Sequence, residues 1–170
     1  LTAPIVTLHA PAGAILDGNA GLVNITATTA NLNALNDIGT ALDPLDLNVG
    51  TLNATSTAGG LYASWGNAMT LGVINVATEL NLTQTIGDMT IESLTAPIVT
   101  LNAPAGAILD GNAGLVNITA TTTNLSALND IGTALDPLEL NVGTLNATST
   151  NGGLYVSWGN AMTLGVINVA

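Results

Sequence analysis

Residues 51–93 read TLNATSTAGGLYASWGNAMTLGVINVATELNLTQTIGDMTIES, and one short shape recurs in them: Thr51-Leu52-Asn53-Ala54, Thr70-Leu71-Gly72-Val73 and Thr90-Ile91-Glu92-Ser93. Upstream, Thr7-Leu8-His9-Ala10 and Asn31-Leu32-Asn33-Ala34 repeat it, and from Leu32 to Ile91 the apolar members are spaced 20, 19 and 20 residues apart. Such a period is that of a solenoid coil. Small or polar residues alternate with β-branched ones in IVTLHA (5–10), LVNITAT (22–28), LDLNVGTLNATST (45–57) and MTLGVINVATELNL (69–82), which is strand patterning. Turn residues separate these segments at Pro11-Ala12-Gly13, Asp17-Gly18-Asn19, Asn36-Asp37-Ile38-Gly39, Asp43-Pro44 and Gly59-Gly60. No stretch keeps a 3.6-residue apolar period, and Thr, Val, Asn and Gly are poor helix formers.

A longer repeat encloses the short one. Residues 1–77 and 94–170 are identical at 71 of 77 aligned positions, 93 apart. The exceptions are His9/Asn102, Ala30/Thr123, Asn33/Ser126, Asp46/Glu139, Ala58/Asn151 and Ala63/Val156. The chain therefore divides into a first repeat, 1–93, and a second, truncated repeat, 94–170, of one continuous solenoid. Ala170 matches Ala77, where the first copy runs on through TELNLTQTIGDMTIES, so the sequence reads as an excerpt of a longer array.

The expected fold is all-β: a right-handed parallel β-helix of about eight or nine coils of roughly 20 residues, four or five per repeat, on the order of 40 Å long. Right-handed winding is favoured because strict hexapeptide periodicity is missing. Spacings of 24 from Leu8 to Leu32 and only 10 from Ile91 to Leu101 imply an irregular coil or a wider turn at each repeat junction.

Composition narrows the class. Lys and Arg are absent, eleven carboxylates give a net charge of −11, and only 6% of residues are charged against 48% hydrophobic. A mean hydropathy of +0.53 argues against disorder. No apolar run approaches the roughly 18 residues of a membrane-spanning helix. The 25 Thr and 20 Asn must supply the polar surface, as on a sheet lined with hydroxyls and amides. Without basic side chains the chain has no means of holding nucleic acid or anionic lipid. It also lacks cysteine, so stacking must do what disulfides do in small secreted domains. An extracellular location is expected.

AILDGN (14–19), NITATT (24–29), NDIGTALDPLDLNVGTLNATST (36–57) and GGLYASW (59–65) resemble repeats of very large bacterial surface and biofilm-matrix adhesins of the filamentous haemagglutinin-like type. The resemblance covers the whole chain and is one of style and composition. It implies a β-helical shaft, export across the outer membrane by a dedicated partner, and adhesion to cells, surfaces or matrix polysaccharide. The partners it implies are further repeats of the same protein, in filaments or bundles, and extracellular polysaccharide.

Chemistry has few candidates. Polysaccharide lyases on β-helices need basic residues, and none exists here. A hydrolase needs only paired carboxylates, which Asp37, Asp43 and Asp46 could form, with Asp130, Asp136 and Glu139 in the second copy. Turn chemistry competes with that reading, since Asn36-Asp37 and Asp43-Pro44 suit Asx side chains bonding their own backbone. No catalytic residue and no enzyme activity are therefore expected. Calcium between neighbouring coils is the one cofactor candidate, with Asp17, Asn19, Asp37 and Asp43 as ligands, although no recognised calcium loop is matched. His9 reads as a surface ladder position, because its counterpart is Asn102.

Tyr62, Trp65, Tyr155 and Trp158 are the only aromatic residues and are candidates for contact with a sugar ring or a neighbouring filament. Strand alternation puts Leu61, Ala63 and Trp65 on one face and Tyr62 on the other, so the competing reading has Trp65 closing the bore. Asn24, Asn53, Asn81, Asn117, Asn124 and Asn146 head Asn-x-Ser/Thr sequons. An ice-binding face would need Thr-x-Thr on successive coils, and TATT (26–29) does not recur at each step.

Overall fold

The computed structural model describes residues 1–19 and 21–170. Among them there are strands and no helix. The first repeat contains β1 (Ile5–Ala10), β2 (Ile25–Ala34), β3 (Leu45–Ser56), β4 (Leu61–Trp65), β5 (Met69–Val76), β6 (Glu79–Gln84) and β7 (Met89–Thr95), the last ending just inside the second copy. The second contains β8 (Ile98–Ala103), β9 (Ile108–Asp110), β10 (Ile118–Ala127), β11 (Leu138–Ser149), β12 (Val156–Trp158) and β13 (Thr163–Val169). Every pairing is parallel, so the fold is a β-solenoid of about eight turns.

The chain passes alternately through two sheets that share one interior. In the back sheet Leu8, Leu32, Ala54, Ile74, Leu94, Ile118, Leu140 and Trp158 stack in one column. In the front sheet the corresponding column is Leu45, Ala63, Leu82, Leu101, Leu125, Ala147 and Ile167. Leu52, Leu61, Leu71, Leu80, Leu82 and Ile91 are wholly buried at 0% exposure. Removing such a side chain from water contributes about 1.5–3 kcal/mol. Apolar residues occupy every position of both columns, Ala54, Ala63 and Ala147 among larger Leu and Ile, which is why the core passes from one repeat into the next without a break.

Coil length varies along the axis. Members of the back column are 24, 22, 20, 20, 24, 22 and 18 residues apart. The longer coils carry loops. Ile38 pairs with Leu61 and Leu45 with Ala63, so the seven-residue step from Ile38 to Leu45 lies over a two-residue step in the next coil. The difference is thrown outward as residues 39–44, and Gly39 makes this possible. Its φ is +67°, and a Cβ there would lie 2.1 Å from the Tyr62 carbonyl oxygen. A second loop, described at 16–19 and 21–24, leaves the preceding coil after Ile15, and 111–117 and 132–137 repeat the pair in the second copy, where β9 holds residues 108–110 in the sheet.

A second glycine explains an irregularity in strand register. Between Leu52 and Ala54 the pairing of β3 with β5 shifts by one residue, a bulge centred on Gly72. The Asn53 carboxamide fills the space a Cβ would occupy and accepts a 2.9 Å hydrogen bond from the Val73 amide. Asn146, Gly165 and Val166 reproduce the arrangement.

The two copies do not occupy the same side of the solenoid. Leu8 and Leu101 are equivalent, yet Leu8 lies in the back column and Leu101 in the front. Four turns carry the chain from Leu8 to Leu94, and the remaining seven residues carry it across to the other sheet. One 93-residue repeat is thus four and a half turns, and each copy is rotated by about half a turn relative to the last. The 10-residue step from Ile91 to Leu101 is this crossing rather than a widened turn.

Candidate functional site

The loop pair gathers most of the acidic candidates. In the first copy the Asp17 carboxylate accepts hydrogen bonds from the Asn19 amide (2.8 Å) and the Asn24 side chain (2.6 Å). Asn24 accepts in turn from the Asp46 amide (2.7 Å), and Asp46 accepts from the Ser64 hydroxyl (2.5 Å). Three successive coils are tied together by this chain of polar groups. In the second copy Asp110 accepts from the Asn112 amide (2.8 Å) and Asn117 (2.5 Å), and Asn117 accepts from the Glu139 amide (2.7 Å).

Charge is unevenly tolerated there. The hydrogen bond from Asn24, with help from the Asn19 amide, holds the Asp17 carboxyl below its ordinary value. Burial alone would raise Asp110, but hydrogen bonds from Asn117 and the Asn112 and Gly114 amides leave it lowered. Asp136 and Glu139 are both raised, by desolvation and then by the Asp110 charge. Among the described residues, no three acidic or imidazole side chains come close enough together to hold a metal ion.

Asp37 is elsewhere. Its carboxylate accepts from the Gly60 amide of the next coil (2.7 Å), as Asp130 does from Gly153 (2.6 Å) and Asp88 from Ala107 (2.8 Å). These side chains brace the neighbouring coil rather than their own turn, contrary to the Asx reading. The Asp43 turn is instead closed by Thr40, whose hydroxyl accepts from the Asp43 amide at 3.0 Å. The structure therefore brings Asp17 and Asn19 together and leaves Asp37 apart from them.

Trp65 faces the interior with 3% exposure, stacked between Leu47 and Gln84. Tyr62 points the other way, half-buried, with its hydroxyl 3.4 Å from Glu79. Burial and desolvation, then the Glu79 charge, raise its phenol above the ordinary value. The two rings do not form one patch. On the last coil Tyr155 is 38% and Trp158 49% exposed. Asn117, read as a sequon, is wholly buried and bonded through its side chain, so it cannot present an amide for modification.

Opposite the loop pair, the same coils present a flat polar face. Thr7, Asn31 and Asn53 form one outward column and His9, Asn33 and Thr55 another, with Asn31 and Asn53 linked amide to amide at 3.0 Å. The shallow groove between the columns measures about 400 Å³, is bordered by the exposed Val73 and is lined by no carboxylate. Its equivalent in the second copy measures about 460 Å³. The columns mix Asn, Thr and His, so they do not make a Thr-x-Thr array. Sequence reading missed this face as a unit because its members belong to three different coils. The missed signal was the spacing of Asn31 from Asn53 and of Asn124 from Asn146, 22 residues each.

No protein-family model, curated protein or solved structure matches this chain. Among the described residues, no helix is long and apolar enough to cross a membrane.

Proposed function

We propose that the chain is a length of stiff extracellular shaft, a structural repeat of an adhesin or biofilm-matrix fibre, without catalytic activity. The observation that carries this reading is the unbroken stacking of the core across the repeat boundary, where Leu82 of the first repeat pairs with Leu101 of the second. Reach then grows in proportion to copy number, because each coil is bonded only to its neighbours. The lack of cysteine and of basic side chains suits an exposed fibre that relies on stacking. Small-angle scattering from one, two and three repeats tests it. Each added repeat of four and a half turns should lengthen the rod by about 22 Å at the usual strand spacing of roughly 4.8 Å. Lengths that grow as the square root of repeat number would mark units on flexible linkers and sink the reading.

A second reading, calcium held between the paired loops, is favoured by the crowding of Asp110 and Asp136 in a chain with no cation to balance them. Amide oxygens of Asn112 and backbone carbonyls would complete such a site. A chelator should then lower the melting temperature, and calcium should restore it. An unchanged melting curve removes the reading.

A further inference from the structure

We propose that parallel copies of this rod pack side by side, the loop pair of each repeat seating in the Asn/Thr groove of the same repeat in the neighbouring copy. The inference rests on the shaft reading and assigns it a contact surface. Leu42 and Leu135, at the tips of their loops, are 99% and 98% exposed, and Leu22 and Leu115 beside them are 68% and 70% exposed. Apolar side chains presented this openly, once per repeat on one ridge, are the mark of an association surface. The tip is held in one shape, since Thr40 and Asp43 exchange backbone hydrogen bonds at 3.0 and 3.2 Å and Thr133 and Asp136 do the same. Little freedom remains to be lost on docking.

Position and charge select a second copy as the occupant. The loops that follow Ile15 and Ile38 leave the coil between the strands 5–10, 29–34 and 51–56, so ridge and groove lie at the same height on opposite sides. The ridge carries Asp17 and Asp43, with Asp46 on the strand beside it, so two ridges face to face would repel. The groove has no carboxylate, and the apolar surface it offers is that of Val73, which is 62% exposed. Because of the half-turn between repeats, the side that bears a ridge in one repeat bears a groove in the next. Two rods in parallel and in register, related by a sideways shift, therefore meet ridge to groove at every repeat. A compact partner would match only one. The contact is heterologous and does not close, so it builds sheets of rods rather than pairs.

The test is the cross-section of the purified two-repeat chain, from small-angle scattering and electron microscopy as concentration is raised to millimolar. Wild type should thicken in one lateral direction. The double variants Leu42→Asp with Leu135→Asp, and Asn33→Glu with Ser126→Glu, should each abolish thickening, with circular dichroism melts showing the fold intact. Rods that stay one molecule wide, bare or coated by an added neutral polysaccharide, overturn the proposal, as does thickening that persists in either variant. Rod length in the same data reports on the shaft reading separately.

Discussion

Gly39 shows how one residue can decide the outline of a coil. At φ +67° with backbone atoms pressed against the missing Cβ, it is the point at which the chain leaves the sheet. Gly39→Ala should cost about 3 kcal/mol, because both the left-handed backbone and the Tyr62 carbonyl must give way. Gly18→Ala, where no atom lies within 4 Å, should change stability by under about 0.5 kcal/mol. Urea denaturation of the two variants checks the contrast. Much at this scale was legible beforehand: strand alternation alone placed Trp65 with Leu61 and Ala63 and turned Tyr62 away. Asn24 and Asn117 were harder to read, because their hydrogen-bond partners lie seven and 22 residues away along the chain. A sequon is visible in three residues, whereas a clasp between coils requires the register.

At the scale of elements, IVTLHA and LDLNVGTLNATS form strands throughout, MTLGVINVATELNL divides into β5 and β6 at Ala77-Thr78, and LVNITAT is strand only from Ile25 onward, because β-branched alternation and the turn residues agree everywhere but at the loop. The loops were less predictable. Short apolar-polar runs such as those around Leu22 and Leu42 look like strand until the coil above fixes how few residues its sheet can accommodate. The paired loops also set a dependence on pH. Asp136 and Glu139 are raised, so their contribution to stability is present below the ordinary carboxylate range and fades as pH rises through their folded-state values. Asp17 and Asp110 are lowered and act in the opposite sense, losing their contribution as pH falls through their folded-state values. The melting temperature should therefore rise as pH is brought down from neutral towards the ordinary carboxylate range, then fall in stronger acid. Asp136→Asn should raise it at neutral pH and flatten the first limb, as thermal melts across the pH series would show.

Over the whole molecule, the architecture was legible because a period near 20 survives every substitution between the copies. Its winding was not. The 10-residue interval at the junction resembles a defect in one dimension, and only pairing of Leu82 with Leu101 and Ile74 with Leu94 identifies it as a change of sheet. An expectation of four or five coils per repeat was resolved by a value midway between them. That fraction gives copy number a directional meaning. If an array gained or lost a single unit, everything distal to the change would swing to the far side of the solenoid, while two such events would restore the original heading. A solenoid built this way can vary its length by single units only by reversing what it presents to its surroundings.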